Sequence, residues 1–355
     1  MVTLLNCIER IPSVLKTVTE RRKEAIKPLI DYLGNDLDRI NEVIFVGSGT
    51  SNTSAMTSQP FFEKVSGLRT KVVFPSSITG EGHVYNPDAL YLFTSQTGTS
   101  IMTRDLQKQL LEKGYLCVSL TESENTPLAK DSKAHVILNC GNEEYAMRTI
   151  GYAASVLTHM LIAMELGLVK GTLTADDYKM YVESVEKLPE SHENIRNQAI
   201  PWFQKNKRLM MRSDCVIFTG SDSLYGVALE GAVKFWEMPQ VISMGYELEE
   251  GLHGPNYGYT SRHCVVVLDD GGKDTKKAQA LARYMKDVNQ SGLIVGPHII
   301  DENDLLIEPA AGEFGCIELS VVCQIMSYFL AEDGGRDLTV RSDRSVMNSY
   351  FKTHM

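Results

Sequence analysis

Nowhere in the 355-residue sequence do 18 apolar residues run together, so no stretch reads as a membrane span. The opening MVTLLNCIERIPSVLK is too broken by charge for a secretory leader. Basic residues are in deficit. With 35 Lys and Arg against 45 Asp and Glu, the formal net charge is −10, which argues against nucleic acid or an anionic membrane held by bulk attraction. A small anion is still allowed, because backbone N–H groups and hydroxyls can hold one locally. C-x-x-C, H-x-H and H-x-x-x-H spacings are absent, so neither a metal nor another cofactor is expected. G-x-S-x-G is also missing, which weakens any serine-triad reading. The seven cysteines are an odd number, and Cys117, Cys264 and Cys323 lie inside apolar runs. Buried free thiols and a reducing, cytoplasmic compartment are expected.

The composition is that of a globular protein, 43% hydrophobic and 23% charged, and the length suits two ordinary domains. Two segments look alike: VIFVGSGTS from Val43 and VIFTGSDSL from Val216, starting 173 residues apart. Each is a β-branched and aromatic run ending in Gly-Ser, followed by a helix-like stretch over 52–65 or 225–237. Further apolar runs lie at 71–74, 90–94, 116–120 and 135–138 in the first half, and at 240–243, 264–268, 292–295 and 304–307 in the second. Helical stretches such as 103–113 and 275–290 separate them. Continuous apolar strands alternating with helices predict an α/β fold of two tandem doubly wound domains, each a parallel sheet flanked by helices. The expected division is helices over 1–40, a first domain over 41–172, linker helices over 173–206, a second domain over 207–340, and a tail over 341–355 closing over the site. Thr174-x-x-Asp177 reads as a capping box in the linker.

In such sheets ligands sit outside the carboxyl ends of the strands, so the post-strand loops are the place for chemistry. Gly47-Ser48-Gly49-Thr50-Ser51 leaves a strand and enters a helix, where free N–H groups and the helix dipole favour an anion. It is no dinucleotide fingerprint, because Asn52 stands where the third glycine belongs, and no Gly-Lys-Ser/Thr follows. In Thr94-Ser95-Gln96-Thr97-Gly98-Thr99-Ser100, six of seven residues carry a hydroxyl or an amide. A solvated turn with a helix cap needs one or two such residues. The excess predicts a phosphate held by Ser48, Gly49, Thr50, Ser51, Ser95, Gln96, Thr97 and Ser100.

Glu230, Lys234 and Glu237 fall at i, i+4 and i+7 of a helical stretch and share one face, either a solvated ion-paired surface or part of a site. Downstream, Glu247, Glu249 and Glu250 precede His253-Gly254-Pro255. A histidine on a loop beside acids can titrate near neutrality, although a structural role is the alternative.

Together, the two loops and the E-x-x-x-K-x-x-E…H-G-P stretch resemble the sugar isomerase (SIS) family. In plan they are nearest to the isomerase half of glucosamine-6-phosphate synthase and to the sugar-phosphate deaminases and fructosamine 6-phosphate deglycases. The resemblance implies that the hydroxyl loops hold a sugar phosphate and that Glu237 is the proton-shuttling base. It implies that His253 opens the sugar ring, commonly from the neighbouring subunit, so a homodimer or larger assembly with a shared site is expected. Lys234 matches a helix lysine near the sugar. Glu143, Glu230 and Glu250 are expected to line the site, and Lys352 loosely matches a tail lysine. Val2 follows Met1 where the synthase has the cysteine nucleophile of its glutaminase domain, so ammonia from glutamine is not expected. Residues 146–150 also depart from the synthase pattern. The implied reaction is cleavage of a fructosamine or glucosylated amino acid 6-phosphate to a hexose 6-phosphate and a free amine. An aminosugar-6-phosphate deaminase or isomerase is the alternative, and a non-catalytic sugar-phosphate sensor a third.

Overall fold

Val43 and Val216, the paired starts of the repeat, are each the second residue of a strand whose every residue is buried: β1 (Glu42–Val46) and β6 (Cys215–Gly220). A computed structural model describes residues 2–80, 82–340 and 344–355; of the expected tail, 341–343 lie outside the described residues. After α1 (Leu4–Glu20) and α2 (Arg22–Leu33), the first half continues from β1 through α3 (Thr50–Ser66), β2 (Arg69–Val73), β3 (Ala89–Thr94), α4 (Ile101–Glu112), β4 (Leu116–Thr121), α5 (Pro127–Lys130), β5 (His135–Ile137) and α6 (Ile150–Lys170). Helices α7 (Ala175–Val185) and α8 (Leu188–Met211) lead to the second half. There β6 is followed by α9 (Ser223–Glu237), β7 (Ser243–Glu247), β8 (His263–Leu268), α10 (Thr275–Asp287), β9 (Gly292–Gly296), β10 (Leu305–Leu306), α11 (Gly315–Asp333) and α12 (Arg344–Tyr350).

Two five-stranded parallel sheets result, ordered β2-β1-β3-β4-β5 and β10-β9-β8-β6-β7. Read from the other edge, the second repeats the first strand for strand. The chain divides into two compact units, one of Val14–Glu143, Ile150–Val182 and Val340–Met355, the other of Met1–Ser13, Glu144–Thr149 and Glu183–Thr339. In the first unit Ile44, Tyr91, Phe93 and Leu106 share a core; in the second Ile217, Val265, Leu281 and Ile294 do. Thr174 caps α7: its hydroxyl accepts the Asp177 N–H at 3.1 Å and donates to the Asp177 carboxylate at 2.7 Å.

Two expected strands shift. Of the run at 240–243, residues 240–242 are irregular, because the chain turns through Gln240 at φ +59°, and β7 begins only at Ser243. The run at 304–307 shortens to Leu305–Leu306, because the buried Asp304 carboxylate accepts the N–H groups of Ile294, Ile300 and Asp301. By length and composition alone, α6 and the helix over Gly312–Asp333 are also long and apolar enough to cross a bilayer, which a search for unbroken apolar runs does not register. Polar residues such as His159 and Gln324 interrupt their apolar runs and hid them. Within the protein, 83% and 94% of their most apolar windows are buried, α6 against α3 and α11 against α8 and α9.

His159 in α6 and His192 in α8 are fully buried, and burial pushes both down to about 3, with Arg196 adding to the effect at His192. In the unfolded chain an imidazole takes up a proton below about pH 6.5. Between that pH and about 3 the unfolded state therefore binds more protons, so this stability is full above pH 6.5 and is lost as the pH falls. Each histidine is expected to cost about 1.4 kcal/mol per pH unit in that window. His192→Leu is expected to flatten the fall in unfolding midpoint between pH 7 and 5 by one such share. Equal pH dependence in the two proteins would refute this.

Candidate functional site

In the first sheet β1 and β3 are neighbours, with Val46 opposite Phe93, and strand order reverses between them. Loops 47–51 and 95–100 therefore leave the same sheet edge side by side, at the switch point where α/β proteins bind ligands. Ser48 and Gly49 are exposed, Thr50, Ser51, Thr97 and Ser100 half-buried, and Ser95 and Gln96 buried. Gly98, at φ +61°, closes the second loop by donating its N–H to the Ser95 carbonyl at 2.8 Å; a Cβ there would lie 2.5 Å from Thr126. The Thr97 and Thr99 hydroxyls meet at 2.8 Å, and those of Ser100 and Thr103 at 2.9 Å. Neither loop contains Lys or Arg. An anion here would be held by N–H groups and hydroxyls.

Glu143 supports this edge from inside. It is 5% exposed, and its carboxylate accepts the N–H groups of Ile150 and Gly151 at 2.9 and 3.0 Å, capping α6. It also accepts Gln96 Nε2 at 3.1 Å, and so fixes the amide of the second loop. Gln96 Oε1 has no partner among the described residues. Gly151, which sequence reasoning passed over, permits this arrangement: a Cβ there would lie 1.7 Å from Gln96 Oε1. The tail reaches the same loop. Ile101 N–H donates to the Thr353 carbonyl at 3.1 Å and Met355 N–H to the Thr99 carbonyl at 3.0 Å, with His354 opposite Ser100. Lys352, just before this pairing, is exposed.

In the second unit the Glu230–Lys234–Glu237 triplet is no solvated surface. Glu230 is 2% exposed and Lys234 fully buried. Lys234 Nζ stands 3.1 Å from Glu230 Oε1 and 2.6 Å from Glu237 Oε2. Burial disfavours the ammonium, but Glu230 and then Glu237 outweigh it and hold Lys234 charged, above the ordinary lysine range. Only Glu237, with its side chain 34% exposed, carries this cluster towards solvent. His253 and Glu250 are exposed. His253 Nε2 lies 2.9 Å from Glu249 Oε1, and Lys277, then His253, hold the Glu249 carboxyl below its usual range. The Glu250 N–H donates to Glu247 at 2.9 Å.

Within this unit Glu237 and His253 are not brought together. Glu237 ends α9 before β7 begins, whereas His253 follows the end of that five-residue strand. Its Glu249 partner pairs with Lys277 in the first turn of α10, at the carboxyl edge of the sheet. Roughly 15 Å of strand separates the two edges. Sequence reasoning also missed Asp269. This 2% exposed carboxylate accepts Thr275 Oγ1 at 2.7 Å and the Gly271 N–H at 3.1 Å, and lies 3.1 Å from His298 Nδ1. It follows β8, where loop 95–100 follows β3 in the first sheet. A carboxylate thus fills the second sheet's equivalent of the hydroxyl loop. The acidic 269–274, Asp-Asp-Gly-Gly-Lys-Asp, was its sequence signal. Among the described residues no three His, Cys, Asp or Glu side chains are grouped to hold a metal ion.

Residues 36–164 match the SIS domain family. The chain is 26% identical over 349 residues to a glutamine–fructose-6-phosphate aminotransferase (isomerizing) of Tropheryma whipplei, covering 92% of this chain and 55% of that protein. It therefore spans about half the length of such curated relatives. The C-terminal domain of glucosamine-fructose-6-phosphate aminotransferase from Francisella tularensis superposes with a TM-score of 0.87 at 18% identity, covering 94% of this chain and 96% of that one. A glucosamine-6-phosphate deaminase from Thermotoga maritima superposes with a TM-score of 0.69 at 23% identity, covering 92% and 96%.

Proposed function

We propose that the protein is an acid–base enzyme that cleaves a 6-phosphorylated sugar–amine adduct to a hexose 6-phosphate and a free amine, a reading supported by the match of residues 36–164 to the SIS domain family. The observation that carries this reading is Glu237: a carboxylate open to solvent on one side and clamped on the other by the buried Lys234 ammonium. Such a group is a fixed base. In this reading residues 207–340 form a second SIS domain of the same plan, and the loops at 48–51 and 95–100 anchor the phosphate. Glu237 takes a proton from C1 of a ketoamine, giving an enaminol. Return of a proton at C2 gives the C1 imine, and water adds to it, releasing the amine and leaving the aldose phosphate. His253 moves protons at the ring oxygen and the leaving nitrogen. The placement of Glu237 and His253 at opposite edges of one sheet supports a site whose histidine comes from a second copy of the chain, with at least a dimer as the active unit. The Thr353–Met355 pairing with 99–101 supports a tail that closes over the phosphate loop, with Lys352 beside it. All seven cysteines are buried and none forms a disulfide among the described residues, which supports action in a reducing compartment.

An aminosugar-6-phosphate deaminase is the second reading, favoured by the likeness to the Thermotoga maritima deaminase. Incubation with 6-phosphorylated Amadori compounds of amino acids, and separately with glucosamine 6-phosphate, tests both by mass spectrometry. Amine released from the adducts, with no ammonia from glucosamine 6-phosphate, is the expected result. Ammonia alone establishes the deaminase. Binding without turnover of either class leaves a sugar-phosphate sensor.

A further inference from the structure

One imidazole touches three of the four elements that flank the two hydroxyl-rich loops, β1, α3 and β3. His159, nine residues into α6, lies fully buried beneath them. Its Nδ1 is 3.2 Å from Ser58 Oγ in α3, the helix that loop 47–51 enters. Its Nε2 is 2.9 Å from Thr94 Oγ1, on the last residue of β3, from which loop 95–100 departs. Its ring packs against Phe45 of β1, the strand that feeds the first loop, with centroids 5.0 Å apart. The Ser58 hydroxyl already donates to the Ala55 carbonyl at 3.1 Å, so Nδ1–H is the donor towards Ser58. Nε2 then accepts the Thr94 hydroxyl. This neutral tautomer satisfies both ring nitrogens, as burial demands.

The second copy of the repeat shows what happens without this need. The residue nine positions into α11 is Gln324, and both of its amide atoms are buried without a partner among the described residues. The counterparts of Ser58 and Thr94, by position in α9 and β8, are Gly231 and Leu268, neither of which has a hydroxyl. The loop above them carries Asp269 in place of the hydroxyl run. Core filling alone asks only for an apolar side chain at position 159. The three-way polar junction accompanies the hydroxyl loops and is absent where they are absent.

We propose that His159 is a positioning residue that sets the spacing of the two phosphate loops by tying α3 and the end of β3 to one rigid ring. This rests on the phosphosugar reading above. Two loops that grip one phosphate from separate elements lose affinity when those elements slip, because the hydrogen bonds to the anion lengthen. The test is calorimetric binding of inorganic phosphate and of glucose 6-phosphate to the full chain, with KM and kcat measured on the adduct substrate. His159→Phe keeps the ring volume and removes both hydrogen bonds. It is expected to weaken both ligands about tenfold or more, the effect of losing about one hydrogen bond to a charged group, raising KM more than it lowers kcat. His159→Gln, which can still reach one partner, is expected to recover part of the loss. Thr94→Val removes only the Nε2 bond and is expected to shift affinity in the same direction by less; it decides the matter where His159→Phe does not fold. Unchanged affinity in folded His159→Phe, or in Thr94→Val alone where the former is unfolded, overturns the inference. If the unsubstituted protein binds neither ligand, the phosphosugar reading falls, and this inference with it.

Discussion

Glu237→Gln is expected to reduce turnover of the sugar–amine adduct by about 10²–10⁴-fold, the range associated with a positioned general base. The substitution preserves shape and one hydrogen-bond acceptor towards Lys234 Nζ, now 2.6 Å from the carboxylate. It removes the lone pair of an ionised oxygen that would take the proton from C1. Glucose 6-phosphate binding should be unchanged within about twofold, because the loops proposed to hold the phosphate, 48–51 and 95–100, belong to the other compact unit. In mutant kinetics this is a fall in kcat at nearly constant ligand affinity. Turnover comparable to the unsubstituted protein would remove Glu237 from the chemistry. Loss of glucose 6-phosphate binding together with activity would indicate a role in holding the sugar.

The largest effect on stability is expected at Lys234. Lys234→Met fills a similar volume, but it leaves Glu230, 2% exposed, without the ammonium 3.1 Å away. Removing one partner of a buried ion pair costs about 3–5 kcal/mol, mostly through the charge left behind. Glu230→Gln combined with Lys234→Met removes that charge as well. It should recover much of the loss, since neighbouring groups of one network do not act additively. Urea unfolding of the single and double variants measures both. The double variant, though recovered in stability, should remain impaired in turnover, because Glu237 then lacks the cation that holds it. A single variant within about 1 kcal/mol of the unsubstituted protein would show that the pair relaxes into solvent, contrary to its burial.

Much of the first unit was legible along the chain because its signals are local. VIFVGSGTS is a buried strand, a glycine turn and a helix start in nine consecutive residues, and loop 94–100 carries its hydroxyls in one run. Where a local pattern competed with a tertiary one, the reading slipped. Residues 240–243 look like a strand by composition, but the chain turns through Gln240 at φ +59° and β7 begins only at Ser243. Asp304 heads an apolar run, but its carboxylate gathers the N–H groups of Ile294, Ile300 and Asp301, a role that no spacing announces. His159 reads as an isolated histidine in an apolar stretch, since Ser58 and Thr94 stand 101 and 65 residues away in the chain.

The repeat starting at Val43 and Val216, the parallel strands and the helix face shared by Glu230, Lys234 and Glu237 followed from period and residue type alone, because backbone geometry imposes those periods wherever the chain folds. Burial was decided elsewhere. Whether that helix face met water or the interior, and whether Glu143 opened into a cleft or capped α6, depended on which elements packed over it. So did the placement of Glu237 and His253 at opposite edges of one sheet, because strand direction, and not the sixteen residues between them, sets that distance.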